Sequence, residues 1–155
     1  MFHKCMNRAV DEFVETIDAV VKNEELESKR IDIFYKLVIA IHFLIDSYDR
    51  LPNKPGWKDE SPFVSAFKYV NNQLKHDVDL DLFYITICNG GMFPMRFPMH
   101  YGKPSISWAN FQDNSDEKSK FRRPHYDNEL MNKDVKSTIL DFQRIIENLS
   151  KESIL

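Results

Sequence analysis

The sequence predicts a mainly α fold: a four-helix bundle with an inserted β-hairpin or small antiparallel sheet before the last helix. Three observations predict it. Apolar residues recur at spacings of three and four in four separate segments. The pattern switches to alternation over about residues 79–108, around a turn signal at Asn89-Gly90-Gly91. Twelve phenylalanines against four glycines in 155 residues suit a helical core filled by aromatic rings, and a 43% hydrophobic content fits one folded domain.

The first helix is expected over about 3–23. Met6, Val10, Phe13, Val14, Ile17 and Val21 fall on one face. A polar run, KNEELESKR, leads to a second helix over about 29–50. Its face runs through Ile31, Phe34, Val38, Ile41, Leu44, Ile45 and Tyr48, and Leu37, Ile39 and Phe43 widen it nearly all the way round. A helix that apolar should be the central one. Pro52, Pro55 and Gly56 stop it. Ser61-Pro62 starts a third helix over about 62–76, with Ser as N-cap and Pro in the first turn. Its apolar face is Phe63, Ala66, Phe67, Val70 and Leu74. Lys75 and His76 oppose the helix dipole in its last turn.

The alternating region begins with Leu80, Leu82 and Tyr84 set against Asp79, Asp81 and Phe83. After the turn, the return strand carries Phe93, Met95, Phe97 and Met99 on one side. Pro94, Arg96 and Pro98 fall on the other, which implies an edge strand or an irregular arm. Ser105–Trp108 is a candidate third strand. Residues 110–131 read as a long polar loop. The last helix, about 133–150, aligns Val135, Ile139, Phe142, Ile146 and Leu149.

The net charge is -3 and the isoelectric point near 5.9, whereas a general nucleic-acid binder is more often strongly basic, so any nucleic-acid contact must come from a local patch. The cysteines, Cys5 and Cys88, suggest no disulfide scaffold and favour a reducing compartment. The longest apolar stretch, Leu37 to Ile45, is interrupted by His42 and reaches about half the length of a spanning helix. The charged amino-terminal segment lacks a secretory apolar core. The expectation is a cytoplasmic protein with no membrane contact. No two histidines lie four apart, and no Gly-rich phosphate loop or nucleophile elbow occurs, so neither a metal nor a cofactor is expected. His42, inside the apolar helix, is expected to be a satisfied core residue.

The segment Asn71-Asn72-Gln73-Leu74-Lys75-His76 ends the third helix. It resembles the signature of the HEPN superfamily: an Arg, often followed by Asn, then about three variable residues and a His. Asn72 and His76 match the second and last positions, and Asn71 stands where that family has its Arg. The resemblance implies a helical bundle acting as a homodimer. It also implies a kinship with metal-independent ribonucleases of toxin–antitoxin, abortive-infection and CRISPR systems. His76 and Asn72 would then be the catalytic candidates. A His can titrate near neutral pH to activate a ribose hydroxyl. A cation must stabilise charge at the scissile phosphate, and Asn71 has none to offer. Lys75 and Lys68 are the nearest substitutes, and with Asn71 they form the expected phosphate or RNA contact. His76 could equally just satisfy a terminal carbonyl of its own helix.

The stretch from Lys118 to Tyr126 is the most basic in the chain. Arg122 and Arg123 are candidate phosphate contacts there, with Phe121 and Tyr126 as stacking rings; a solvated loop with an anchoring aromatic reads the same way. Met92, Phe93, Met95, Phe97 and Met99 are the candidate partner contacts, since Met-rich surfaces adapt to partners. The functional expectation is a HEPN-like accessory or defence-related protein that binds RNA or a partner without efficient catalysis. A protein–protein interaction module with no nucleic-acid role is the alternative, and a metal-independent endoribonuclease is a further one.

Overall fold

The computed structural model describes residues 1–23, 27–77, 80–86, 105–111 and 117–152. The elements are α1 (Phe2–Asn23), α2 (Arg30–Asp49), α3 (Pro62–His76), β1 (Phe83–Thr86), β2 (Ser105–Trp108), α4 (Glu117–Glu129) and α5 (Val135–Glu152). The fold is mainly α with a small antiparallel sheet before the last helix, as the sequence predicts. None of the described helices is long and apolar enough to cross a membrane.

The helix faces follow the expected stripes in α1, α3 and α5. Met6, Val10, Phe13 and Ile17 are buried in α1, and Val135, Ile139, Phe142 and Ile146 in α5. Ser61 caps α3, its hydroxyl accepting from the Val64 amide at 3.3 Å. The buried stripe of α2 keeps the expected Ile41, Leu44, Ile45 and Tyr48 but is rotated in the first half of the helix. It runs through Ile33, Leu37, Ala40, Ile41, Leu44 and Tyr48, while Ile31 is 86% exposed. With apolar residues nearly all the way round, the periodicity alone cannot say which side faces the core. His42 is not a core residue. It lies on the open side of α2, with Nε2 at 3.6 Å from Asp46 one turn on.

The expected loop over 110–131 contains α4. Its buried positions are Ser119, Arg122 and Tyr126, which are helical in spacing but include only one large apolar side chain. That face is held by polar bonds more than by apolar packing, and Pro124 lies inside the helix, so the sequence carries no apolar signal of it. Tyr126 is fully buried and its hydroxyl donates to the Ala109 carbonyl, so it is no open stacking platform.

β1 and β2 pair antiparallel with Phe83 opposite Trp108 and Thr86 opposite Ser105. Ser105–Trp108 is thus the direct partner of the first strand. The turn Asn89-Gly90-Gly91 and the expected return strand with Met92, Phe93, Met95, Phe97 and Met99 lie outside the described residues. The expected alternation of Leu80, Leu82 and Tyr84 fails: Leu80, Leu82 and Phe83 are all buried and Tyr84 is exposed. The strand starts only at Phe83, so the leucines before it do not obey its pleat.

The sheet and helices meet in an aromatic core. Phe67 of α3 stands edge-on to Trp108 at 5.7 Å and lies 4.7 Å from Phe142 of α5. The Trp108 indole N–H donates to Thr138 Oγ1 at 2.8 Å, so this buried polar atom is satisfied. The α4–α5 link returns to the sheet at Asn132, whose φ of 64° is left-handed. Its amide donates to the Trp108 carbonyl at 3.0 Å and its Oδ1 accepts from the Tyr84 hydroxyl.

Candidate functional site

Helix α3 has two faces. Phe63, Ala66, Phe67 and Val70 meet the core. On another side, Lys68, Asn71, Asn72 and Lys75 recur at spacings of three and four, which makes a polar stripe. That stripe walls a cleft of about 360 Å³. Asp49 at the end of α2 and the segment through Lys54, Trp57 and Glu60 form the second wall, and Lys118 and Arg122 of α4 close the third.

Below this cleft is a chain of charges. Glu60, whose side chain is only 2% exposed, accepts from Lys68 Nζ and faces Arg122 Nη2 at 3.6 Å. Lys68 also donates to Asp49 at 2.8 Å, and Lys54 donates to Asp49 at 3.1 Å. Burial opposes ionisation of Asp49, but the bonds from Lys68 and Lys54 outweigh it and hold the carboxyl below its ordinary range. Burial pushes the nearby Tyr48 hydroxyl up, with Glu60 and Asp49 adding to the effect.

The network is not balanced. Five cations line the cleft against two carboxylates. Glu60 Oε2 and Arg122 Nε are buried without a hydrogen-bond partner among the described residues. The 3.6 Å separation of the two side chains is too long for a good charge-assisted bond. Nearer the surface, Lys75 and Lys118 make no ion pair among the described residues. Lys118 Nζ stands 5.6 Å from the centroid of the Trp57 ring. The cleft is therefore locally positive on a protein that is negative overall.

The residues singled out from the sequence divide sharply. Lys68, Asn71, Asn72, Lys75 and Arg122, drawn from two helices far apart in the chain, line the same cleft. Asn72 donates to the buried Ser119 hydroxyl at 2.9 Å, as Gln73 does at 3.2 Å, so the amides knit α3 to α4. His76 is exposed in the last turn of α3 and does not line the cleft. It does not satisfy the terminal carbonyl of Gln73 either; the Asp77 amide does. Arg123 points elsewhere. It donates to Asp127, Tyr69, Asn110 and the Phe111 carbonyl, and so staples α4 to the chain after β2. Asp49, Lys54, Trp57 and Glu60 join the cleft without any such signal. Nothing local in the sequence marks a carboxylate that will be buried by partners many residues away.

Among the described residues no three His, Cys, Asp or Glu side chains come together as metal ligands. Comparison with protein-family models, curated proteins and solved structures gives no match, which leaves the cleft itself as the ground for a functional reading.

Proposed function

We propose that this chain is a HEPN-like, RNA-binding accessory protein that grips phosphate in the α3–α4 cleft and does not cleave RNA efficiently. The observation that supports it most is the convergence of Lys68, Lys75, Lys118 and Arg122 with Asn71 and Asn72 on one surface. Phosphate oxygens take charge-assisted bonds from cations and ordinary bonds from amides, and both kinds of donor are present. A binding role without efficient catalysis fits two further facts. Asn71 carries no charge where the family motif has Arg, and His76 is not among the cleft residues, so the motif's histidine does not accompany the cations. The homodimer and the defence-related role belong to the same proposal and rest on the resemblance.

The test incubates the purified chain with a mixed RNA pool in EDTA and measures retention and cleavage together. Retention without cleavage is expected, falling steeply with salt. Lys75→Glu with Lys118→Glu should lower the salt slope by about two, one for each phosphate that is no longer neutralised. RNA that stays unbound at low salt would sink the reading. RNA cleaved by the wild type and spared by His76→Ala would favour the endoribonuclease. Sedimentation of the same sample reads the dimer.

A protein-interaction module without a nucleic-acid role has one observation in its favour. Ile31 and Tyr35, one turn apart on α2, are 86% and 59% exposed. A pull-down in which Tyr35→Ser releases a partner, with RNA retention absent, would support it.

A further inference from the structure

Resting on that RNA-binding reading, we infer that Trp57 forms a subsite for an unpaired nucleobase, so that the cleft prefers single-stranded RNA to a duplex. The ring stands in the cleft wall, half-buried, with part of its surface open to the cleft. Its segment is held. The Asp59 amide donates to the Gly56 carbonyl at 2.9 Å, and Phe121 of α4 meets the indole edge-on, 5.3 Å between centroids and 85° between planes. The platform is thus fixed before any ligand arrives, which lowers the ordering cost of binding.

Two lysine ammonium groups stand over the ring. Lys118 Nζ, 5.6 Å from the indole centroid, also lines the cleft and is exposed on a flexible stem. Lys58 Nζ lies 5.2 Å from the same centroid. Both stems are flexible, so a base that stacks on the indole would displace the ammonium groups from over the ring and leave them beside its phosphate. Across the cleft, the Asn71 side chain makes no hydrogen bond among the described residues. Its amide offers a donor and an acceptor, which is what a base edge needs. In a duplex the Watson–Crick edges are paired and the base faces are stacked, so no face is free for the indole. A space of about 360 Å³ also suits one nucleotide and not a double helix.

Trp57 and Trp108 are the two tryptophans of the chain, and Trp108 is fully buried, so indole fluorescence reports on the site. The full chain is titrated with an oligouridine of about 12 nucleotides, an RNA duplex of the same length, and tripolyphosphate. We expect the oligouridine to quench the fluorescence and to bind at least about tenfold tighter than the duplex. Trp57→Ala should weaken oligouridine binding about tenfold and leave tripolyphosphate binding unchanged, and Trp57→Phe should recover most of the affinity. Equal affinity for duplex and single strand, or unquenched fluorescence in the saturated wild type, overturns the base subsite. If Lys75→Glu still weakens binding in that case, the RNA-binding reading stands without it. Failure of every RNA to bind overturns both. The wild-type quenching decides the matter even if Trp57→Ala does not fold.

Discussion

Helix α3 is held on its two sides by opposite physics. On one side Phe67 packs against Trp108 and Phe142 in a buried aromatic core whose indole N–H is bonded to Thr138. On the other, Glu60, Lys68 and Arg122 are nearly as buried, yet their contacts are ionic and incomplete. Burying apolar rings stabilises in proportion to the area removed from water. Burying charges costs desolvation that the ion pairs only partly return. The first side is what a bundle needs to fold. The second is a poor way to hold two helices together and a good way to keep positive charge beside a cleft.

The largest effect expected from breaking this contrast is on the apolar side. Phe67→Ala should cost about 3–5 kcal/mol in a denaturant titration, because it removes a ring from a site that cannot collapse. Next comes Glu60→Ala, at about 3 kcal/mol by the same measurement, since Lys68 and Arg122 would be left buried without the carboxylate that faces both. The sharper test replaces all three charges together, as Glu60→Leu, Lys68→Met and Arg122→Met. That variant should melt at or above the wild-type temperature while losing RNA retention. A triple variant that is far less stable would mean the ionic side is structural and the contrast false.

Smaller effects test the edges of the picture. Asn132→Ala should cost about 1 kcal/mol in the same titration, because alanine is strained at a φ of 64° and cannot accept from Tyr84. The smallest is a pH effect. The Asp49 carboxyl is held below its ordinary range in the fold, so its contribution is present above the unfolded carboxylate range and is lost as pH falls through the folded value. Thermal melts between about pH 5 and pH 3 should therefore be flatter for Asp49→Asn than for the wild type. Parallel curves would remove Asp49 from the network.

The same contrast explains what can be read from the chain alone. The apolar side is periodic, so α1, α3 and α5 are legible from Met6, Phe67 or Phe142 and their neighbours three and four residues away. Ser61-Pro62 even fixes where α3 begins. The ionic side is not periodic in hydrophobicity, so α4 is hidden: of Ser119, Arg122 and Tyr126, only one looks like core. Lys68, Asn71, Asn72 and Lys75 are legible as a set because one helix carries them. Their partners Asp49 and Glu60 are not, because burial there depends on a chain crossing made elsewhere. Arg123 looks equivalent to Arg122 in the sequence and is not, because a residue that lies in a helix reads there as part of a loop. One step along a helix turns a side chain by about 100°, enough to exchange the cleft for Tyr69, Asn110 and Phe111.

The composition of α4 has a consequence for motion. Tyr126 is its single large buried apolar side chain, and beside the Phe121–Trp57 ring contact much of its remaining anchorage is hydrogen bonds and ion pairs through Ser119, Arg122 and Arg123. A unit attached in this way should open as a separate foldon, at a free energy below that of global unfolding. Amide exchange in α4 should then outpace that in α3 and α5 and quicken as ionic strength rises, because salt weakens its partly exposed pairs and leaves ring packing untouched.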